Sequence, residues 1–186
     1  MHKHFIIYKP WGMLSQFTNP AKRKKRLLGE LHLFPEGTMA IGRLDVASEG
    51  LLLLTTDGKV SEQIRSKKYD KDYYVQVDGI ITQNAIEKLT SGVEIGFNGQ
   101  KYTTKPCIAT IISDPKFPLR SQKIRDERHG PTSWVSIVIR EGKFRQVRKM
   151  TAAVGFPTLR LIRVRIGKIS LNSLNVGDVK QVTSLV

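Results

Sequence analysis

A single aspartate in a glycine-bounded turn is the strongest candidate for chemistry in this sequence. Asp45 follows Gly42-Arg43-Leu44 and precedes an apolar run, so we expect it in a turn between strands, where a side chain can reach the mouth of a cleft. An ionised aspartate held beside a fixed cation can act as a covalent nucleophile. A lone loop aspartate more often caps the turn that follows it. The residues alone leave both interpretations open.

Other common catalytic arrangements are missing from the sequence. The glycine-containing stretch Gly37–Arg43 lacks the lysine and hydroxyl residue of a phosphate-binding loop. No carboxylates cluster near Asp45, which argues against a metal-dependent nuclease. The histidines show no metal-ligand spacing; they are His2, His4, His32 and His129. We therefore expect neither a metal nor a cofactor.

The net charge restricts the class of partner. A formal charge of +15 on 186 residues attracts polyanions, and nucleic acid is the commonest soluble polyanion. An acidic protein partner is the alternative, and charge alone does not separate RNA from DNA. The single cysteine, Cys107, excludes an internal disulfide. Since no apolar run approaches the roughly 20 residues that span a bilayer, we expect a cytoplasmic protein without a membrane partner.

The basic residues are concentrated in a few segments. Lys22–Arg26 is a run of five cations, which indicates either a solvated loop or a loop that contacts phosphates. The segment Lys143–Gly155 predicts an amphipathic helix that ends at Gly155. Its apolar side would consist of Val147, Met150, Thr151 and Val154, and its opposite side of Arg145, Arg148, Lys149 and Ala152.

The elements that must position these residues alternate between short strands and short helices. Tyr73–Asp78 alternates cleanly, with Tyr73, Val75 and Val77 on one face, where an aromatic residue usually packs in the core. Further strands are predicted at His4–Lys9, Leu51–Thr55, Lys105–Ile112, Ser133–Arg140 and Thr158–Leu171, and helices at Lys59–Arg65, capped by Asp57, and between Thr82 and Gly92. This pattern predicts an α+β fold with a mixed or mostly antiparallel sheet.

The order of several motifs resembles one family. Lys9-Pro10-Trp11-Gly12, and Gly42-Arg43-Leu44-Asp45 with its continuation Ser48–Gly58, resemble the first two motifs of pseudouridine synthases. The class is the one that contains the ribosomal small-subunit enzyme A and the large-subunit enzymes B, E and F. The stretches Lys71–Val75, Glu141–Met150 and Arg160–Gly167 are similar to the later motifs. The resemblance spans nearly the whole chain.

The resemblance also predicts how the chain is organised. It implies one catalytic domain over residues 1–186 with a central RNA-binding cleft, and the polar stretch at residues 66–70 indicates lobes at about 1–68 and 69–186. The motifs begin near Lys9, so we expect no accessory RNA-binding domain before them and a catalytic domain that binds RNA by itself. This shortness favours the large-subunit enzyme E type. We expect a monomer.

The resemblance implies the reaction and the roles of three residues. Such enzymes isomerise a uridine in RNA by breaking its glycosidic bond and rejoining the base through carbon 5. For this chain we expect the uridine to lie in 23S large-subunit rRNA. Asp45 matches the essential aspartate, which attacks the sugar or the base, or assists elimination. Tyr73 matches the tyrosine that stacks on the target base. Arg148 is the predicted cation beside Asp45, with Arg145 as the alternative.

Further cations are expected to bind the RNA. Arg43 would either fill the gap that a flipped base leaves or contact a phosphate. The remaining predicted RNA-binding residues are Lys22, Arg23, Lys24, Lys25, Arg26, Lys71, Lys143, Arg145, Lys149, Arg160 and Arg163. The basic segments Arg120–Arg128 and Arg160–Arg165 are also expected to contact the RNA backbone. A non-catalytic rRNA-binding or assembly factor is the alternative function, but such a protein would not need to retain Asp45, Tyr73 and Arg148 together.

Overall fold

The six predicted strand segments and the three predicted helices are present, and the described residues also form strands at Met39–Ile41, Glu94–Phe97, Gln100–Thr103 and Val179–Val182 that were not predicted. The computed structural model describes residues 1–19, 24–66, 69–171 and 174–186. The strands are β1 (His4–Lys9), β2 (Met39–Ile41), β3 (Glu49–Thr55), β4 (Lys71–Asp78), β5 (Glu94–Phe97), β6 (Gln100–Thr103), β7 (Ile108–Ile112), β8 (Thr132–Ile139), β9 (Thr158–Ile166), β10 (Ile169–Ser170) and β11 (Val179–Val182). The helices are α1 (Gly58–Ser66), α2 (Gln83–Ser91) and α3 (Gln146–Ala153). The fold is α+β with a mostly antiparallel mixed sheet, which confirms the predicted class.

The chain divides into two compact units. The first contains Met1–Tyr69 and Ile162–Val186, and the second contains Asp70–Leu161. The sequence predicted residues 162–186 in the second lobe, whereas in the structure they belong to the first unit. The reason is a long-range pairing, since β11 pairs antiparallel with β1. The local sequence pattern of a strand does not show which distant strand it will pair with. Within the described residues, no helix is long and apolar enough to cross a membrane.

In the first unit, β3 is the central strand. It pairs antiparallel with β1 and β2 and parallel with β9, and all seven of its residues are buried. A strand covered on both faces has no polar side, which explains the unbroken apolar run Leu51–Leu54. The adjacent core cluster consists of Phe5, Ile7, Met13, Leu28, Leu52 and Leu54.

In the second unit, β4, β8 and β7 form an antiparallel ladder. Tyr73, Val75 and Val77 are buried while the residues between them are half-buried, so the predicted alternation is confirmed. Helix α2 begins after Thr82, whose hydroxyl accepts a hydrogen bond from the Ala85 amide at 3.3 Å, as predicted for a cap.

The predicted helix starts were close but not all correct. Asp57 caps α1 as expected, accepting a hydrogen bond from the Lys59 amide at 2.8 Å. Helix α3 begins at Gln146, three residues later than the predicted start at Lys143. The physical reason is Arg145, which adopts a left-handed conformation with φ of 53° and so cannot continue a right-handed helix.

Gly50 marks a point where two strands approach too closely for a side chain. A Cβ added there would lie 2.3 Å from the carbonyl oxygen of Arg163, its partner in the parallel pair of β3 and β9. The φ of 106° at Gly50 also favours glycine. The glycine between Glu49 and the leucine run is therefore required by the pairing of β3 with β9.

Replacing Gly50 with alanine should lower the free energy of unfolding by about 3 kcal/mol, because the new Cβ would collide with backbone atoms of Arg163. Urea unfolding followed by circular dichroism measures this loss. Gly58→Ala is the matched control, since a Cβ at Gly58 meets no atom within 4 Å and should change stability by less than about 1 kcal/mol. Equal losses in the two variants would contradict the close approach.

Candidate active site

Asp45 lies in the irregular segment between β2 and β3 of the first unit. Gly42, just after β2, has φ of 73°, and the Ser48 amide donates a hydrogen bond to the Asp45 carbonyl at 3.0 Å immediately before β3. The Asp45 side chain is half-buried. The backbone around this aspartate is thus a defined turn attached to a fully buried strand.

The segment after β1 fixes this turn through three hydrogen bonds. The Leu44 amide donates to the Ser15 hydroxyl oxygen at 3.0 Å, and the same hydroxyl donates to the Leu44 carbonyl at 2.8 Å. The Gly12 amide donates to the Val46 carbonyl at 2.8 Å. The residues on both sides of Asp45 are therefore held by the Lys9–Gly12 motif and its continuation, which limits how far the carboxylate can move.

Lys9 is a fully buried cation at the end of β1. Its ammonium donates to the carbonyls of Met13 at 2.6 Å and Pro10 at 3.0 Å. Burial lowers the pKa of Lys9 to about 7, and the negative charges of Glu49 and Asp45 partly oppose that shift. Lys9, Glu49 and Asp45 are therefore electrostatically coupled within the first unit.

Two further charged side chains are buried in this unit. Glu49 is 1% exposed and Arg163 is 4% exposed, and the Arg163 Nε–H donates to the Leu51 carbonyl at 2.8 Å. Arg163 also acts on Lys9, lowering its pKa further. Opposite charges in a low-dielectric interior interact strongly, so these groups define the electrostatic surroundings of the Asp45 turn.

The second unit contains the other two predicted catalytic residues. Tyr73 on β4 is 8% exposed and stands opposite Ile137 of β8, so most of its ring packs in the core. Arg148 is half-buried on α3, whereas Arg145 is exposed immediately before that helix. The predicted pairing of Asp45 with Arg148 joins residues of the two units, and it remains a prediction.

A partly buried polar network holds the turn that leads into α3. Glu141 accepts hydrogen bonds from the Gln146 side chain at 2.7 Å, the Lys105 amide at 2.8 Å and the Tyr102 hydroxyl. Burial is the largest single influence on Glu141 and opposes ionisation, but these hydrogen bonds together lower its pKa. The Gln146 side-chain oxygen also accepts from the Lys143 amide at 3.0 Å. This network fixes the start of the helix that carries Arg148.

Several predicted RNA-binding cations are engaged within the second unit. The Lys143 ammonium lies 4.8 Å from the Phe97 ring centroid and 5.0 Å from that of Tyr102. Lys149 donates to the Gly96 carbonyl at 2.7 Å. Lys71 donates to the Arg140 carbonyl at 3.4 Å. These lysines pack against the protein while remaining half-buried.

The structure confirms the exposure of some predicted RNA-binding cations and contradicts it for others. Arg43, Lys24, Lys25 and Arg26 are exposed, while Lys22 and Arg23 lie outside the described residues. Arg160 and Arg163 are only 3% and 4% exposed, so they do not form the exposed phosphate-binding surface expected of them. Both lie on β9, which is the neighbour of β3 in the first unit and of β4 in the second.

The burial of Lys9 and Glu49 and the part that Glu141 plays before α3 were not predicted from the sequence. Lys9 ends an apolar strand and Glu49 directly precedes the leucine run, and a charged residue adjoining a buried segment is the signal that could have identified them. Among the described residues, no three histidine, cysteine, aspartate or glutamate side chains come together as a metal site.

Comparisons with known proteins identify the family. The model of the RNA pseudouridylate synthase family matches residues 3–153. The ribosomal large subunit pseudouridine synthase E of Vibrio vulnificus (strain CMCP6) is 40% identical over 183 residues, which cover 97% of this chain and 75% of that protein. The protein of the same name from Xanthomonas campestris pv. campestris is 40% identical over 176 residues, 93% of this chain and 91% of that one.

A solved structure agrees with these sequence matches. It is described as the crystal structure of a pseudouridylate synthase, and it aligns with a TM-score of 0.77 at 28% identity, covering 98% of this chain and 71% of the other. The chain belongs to the RNA pseudouridylate synthase family. The resemblance in the motifs is confirmed, and the protein is an enzyme of the pseudouridine synthase class.

The buried position of Lys9 makes stability depend on pH. The folded-state pKa of about 7 lies below the ordinary value of 10.5, so between these values the unfolded chain binds a proton that the folded chain does not. Stability therefore rises with pH in this window and falls as pH drops through 7. From pH 6 to pH 9, the wild type should gain about 3 kcal/mol relative to Lys9→Met, measured by urea unfolding. Parallel stability curves for the two proteins would contradict the burial of an ionisable lysine.

Proposed function

We propose that this protein converts a uridine of ribosomal RNA, in the 23S RNA of the large subunit, into pseudouridine, with Asp45 as the nucleophile. Membership of the RNA pseudouridylate synthase family and 40% identity to relatives named for the large subunit support the substrate. The single observation that carries the role of Asp45 is its turn, which hydrogen bonds fix on both sides of the carboxylate. The reaction takes place in the cytoplasm on a monomeric enzyme.

A fixed backbone at Asp45 suits this reaction for an entropic reason. A nucleophile that is already oriented avoids much of the entropy loss of bringing reacting groups together. Ser15 and Gly12 hold the Asp45 turn from one side, and buried β3 anchors it from the other. Asp45 therefore needs little rearrangement to meet a uridine that has left its stack.

The reaction is an isomerisation, so no atom is gained or lost overall. The bond between the sugar and N1 of uracil breaks, the base rotates, and a bond from C5 to the sugar replaces it while the C5 proton moves to nitrogen. The target base must first swing out of the folded RNA. Asp45 attacks the sugar or the base, or assists elimination, and all three routes place the carboxylate against the same nucleotide.

Tyr73 and Arg148 complete the proposed site. The small exposed part of the Tyr73 ring would contact the flipped base, and its buried part fixes its orientation in β4. Arg148 is preferred to Arg145 as the cation for Asp45 because a half-buried charge is screened less by solvent than an exposed one. A nearby cation favours the ionised form of a carboxylate.

Exposed cations would hold the surrounding RNA. Arg43 is exposed two residues before Asp45, where it would fill the space that the base leaves or contact a phosphate. Lys24 and Lys25 are also exposed, and we propose that they contact backbone phosphates without reading sequence. The net charge of +15 supports this electrostatic contribution to binding.

Asp45→Asn should abolish pseudouridine formation, because the amide lacks the nucleophilic carboxylate. Pseudouridine mapping on protein-free large-subunit rRNA should show a new site with wild type and a rate lower by about 10⁴-fold or more with the variant. Glu62→Gln is the matched control, since it makes the same chemical change at an exposed position on α1.

The mapping also has outcomes that would overturn parts of the proposal. A site formed only in small-subunit rRNA would reject the large-subunit assignment. Full activity of Asp45→Asn would reject the nucleophile. If wild type binds the RNA and modifies neither rRNA, free or in assembly intermediates, the protein is a non-catalytic rRNA-binding factor.

Neutralising the exposed pair Lys24 and Lys25 should weaken RNA binding and its dependence on salt. Each lost phosphate contact lowers the slope of log K against log salt by about 0.7–0.9, so Lys24→Ala/Lys25→Ala should reduce it by about 1.5. Lys59→Ala/Lys88→Ala removes the same charge from exposed helix positions. Equal slopes for both double variants in an anisotropy titration would reject a specific role for Lys24 and Lys25.

A further inference from the structure

The long segment between β7 and β8 lines an open pocket within the second unit. Residues 113–131 join the two strands, and their C-terminal half covers a cavity of about 850 Å³. This volume falls in the range of about 300–1,000 Å³ that is typical of ligand pockets. The floor is contributed by Gln76 of β4, Thr132 of β8 and Arg160 of β9.

The wall of this pocket is strongly cationic. Its ionisable lining residues are Arg120, Lys123, Arg125 and Arg160 against one acid, Asp126. Asp126 is itself paired with Arg128 at 2.6 Å. Leu119, Ile124 and Pro131 supply apolar surface beside these charges. A pocket of this composition suits a ligand that has an anionic part and a flat apolar part.

The segment that forms the pocket is tied to the sheet at two places. The Arg125 guanidinium, only 14% exposed, lies 2.7 Å from Asp78 of β4 and donates to the Pro131 carbonyl at 3.1 Å. Its Nε–H is buried without a hydrogen-bond partner among the described residues. Arg160 donates to the Pro118 carbonyl at 2.8 Å. These contacts make the pocket a built feature of the fold.

Aromatic packing fixes the other end of the segment. The Phe117 ring centroid lies 6.1 Å from those of Tyr74 and Trp134, and the Arg160 guanidinium carbon lies 5.9 Å from it. Tyr74 and Gln76 alternate with Tyr73 and Val75 along β4, so they face the opposite side of the sheet. The pocket is therefore on the other face of β4 from the proposed base-contacting Tyr73.

We propose that this pocket binds one unpaired nucleotide of the substrate RNA, at a position other than the target uridine. Arg120 and Lys123 would hold its phosphate, and Leu119, Ile124 and Pro131 would pack against its base. An unpaired nucleotide can extend its base into a pocket, whereas a base inside a duplex cannot. The assignment of RNA as the ligand rests on the proposed function, and it names a second recognition site for that substrate.

A photo-crosslinking experiment tests this site without turnover. Full-length Asp45→Asn protein is irradiated with a 4-thiouridine hexanucleotide, and the crosslinked peptides are mapped by mass spectrometry. We expect the RNA to crosslink to a residue within the segment Leu119–Thr132. Crosslinks that fall only elsewhere in the chain would overturn the proposal.

Affinity measurements separate the pocket from general electrostatic attraction. In fluorescence anisotropy with a labelled hexauridylate, Arg120→Ala/Lys123→Ala should weaken binding about tenfold more than Lys59→Ala/Lys88→Ala, which removes the same net charge. An abasic hexamer should bind the wild type more weakly than hexauridylate. Equal losses in the two double variants, or equal affinity for the abasic hexamer, would reject a nucleotide pocket.

The two proposals fail in different ways. If the wild type crosslinks within Leu119–Thr132 but forms no pseudouridine in any rRNA, the nucleotide pocket stands and the proposed reaction is rejected. If the wild type forms pseudouridine but Arg120→Ala/Lys123→Ala has the same KM for rRNA as the control variant, the proposed reaction stands and the nucleotide pocket is rejected. Circular dichroism and thermal unfolding of each variant verify that it is folded.

Discussion

Burial of the charges on Lys9, Glu49 and Arg163 is the constraint on which the first unit depends. Removing ions from water costs several kcal/mol per ion unless opposite charges and hydrogen bonds compensate. Here the Met13 carbonyl accepts a hydrogen bond from Lys9 and the Leu51 carbonyl accepts one from Arg163. The negative charge of Glu49 opposes the loss of charge on Lys9. Each compensating group occupies a fixed place in the backbone, so the strands around them have one favourable arrangement.

That arrangement explains why the motifs around Asp45 extend beyond the reacting carboxylate. Gly12 and Ser15, which follow Lys9, make the hydrogen bonds that hold the turn, and Gly50 allows β3 to approach β9. A substitution far from the uridine would therefore misplace Asp45 by altering its support. In the second unit, Glu141 serves the same purpose for the start of α3 and hence for Arg148.

The sequence by itself determined the class of fold, most element positions and the family. Period-two alternation placed Tyr73 on the buried face of β4, and local capping signals located the starts of α1 and α2. These features depend on neighbours in the chain, which is why a single sequence reveals them. The motif containing Asp45 was recognisable for the same reason, since its residues are contiguous.

Only the tertiary structure decided which cations are accessible and which segments share a unit. Arg160 and Arg163 were expected to be surface cations, yet they are only 3% and 4% exposed in the folded protein. Residues 162–186 belong to the first unit because β11 pairs with β1. Burial and strand pairing join residues far apart in the chain, and charge or periodicity within a short window does not encode such partners.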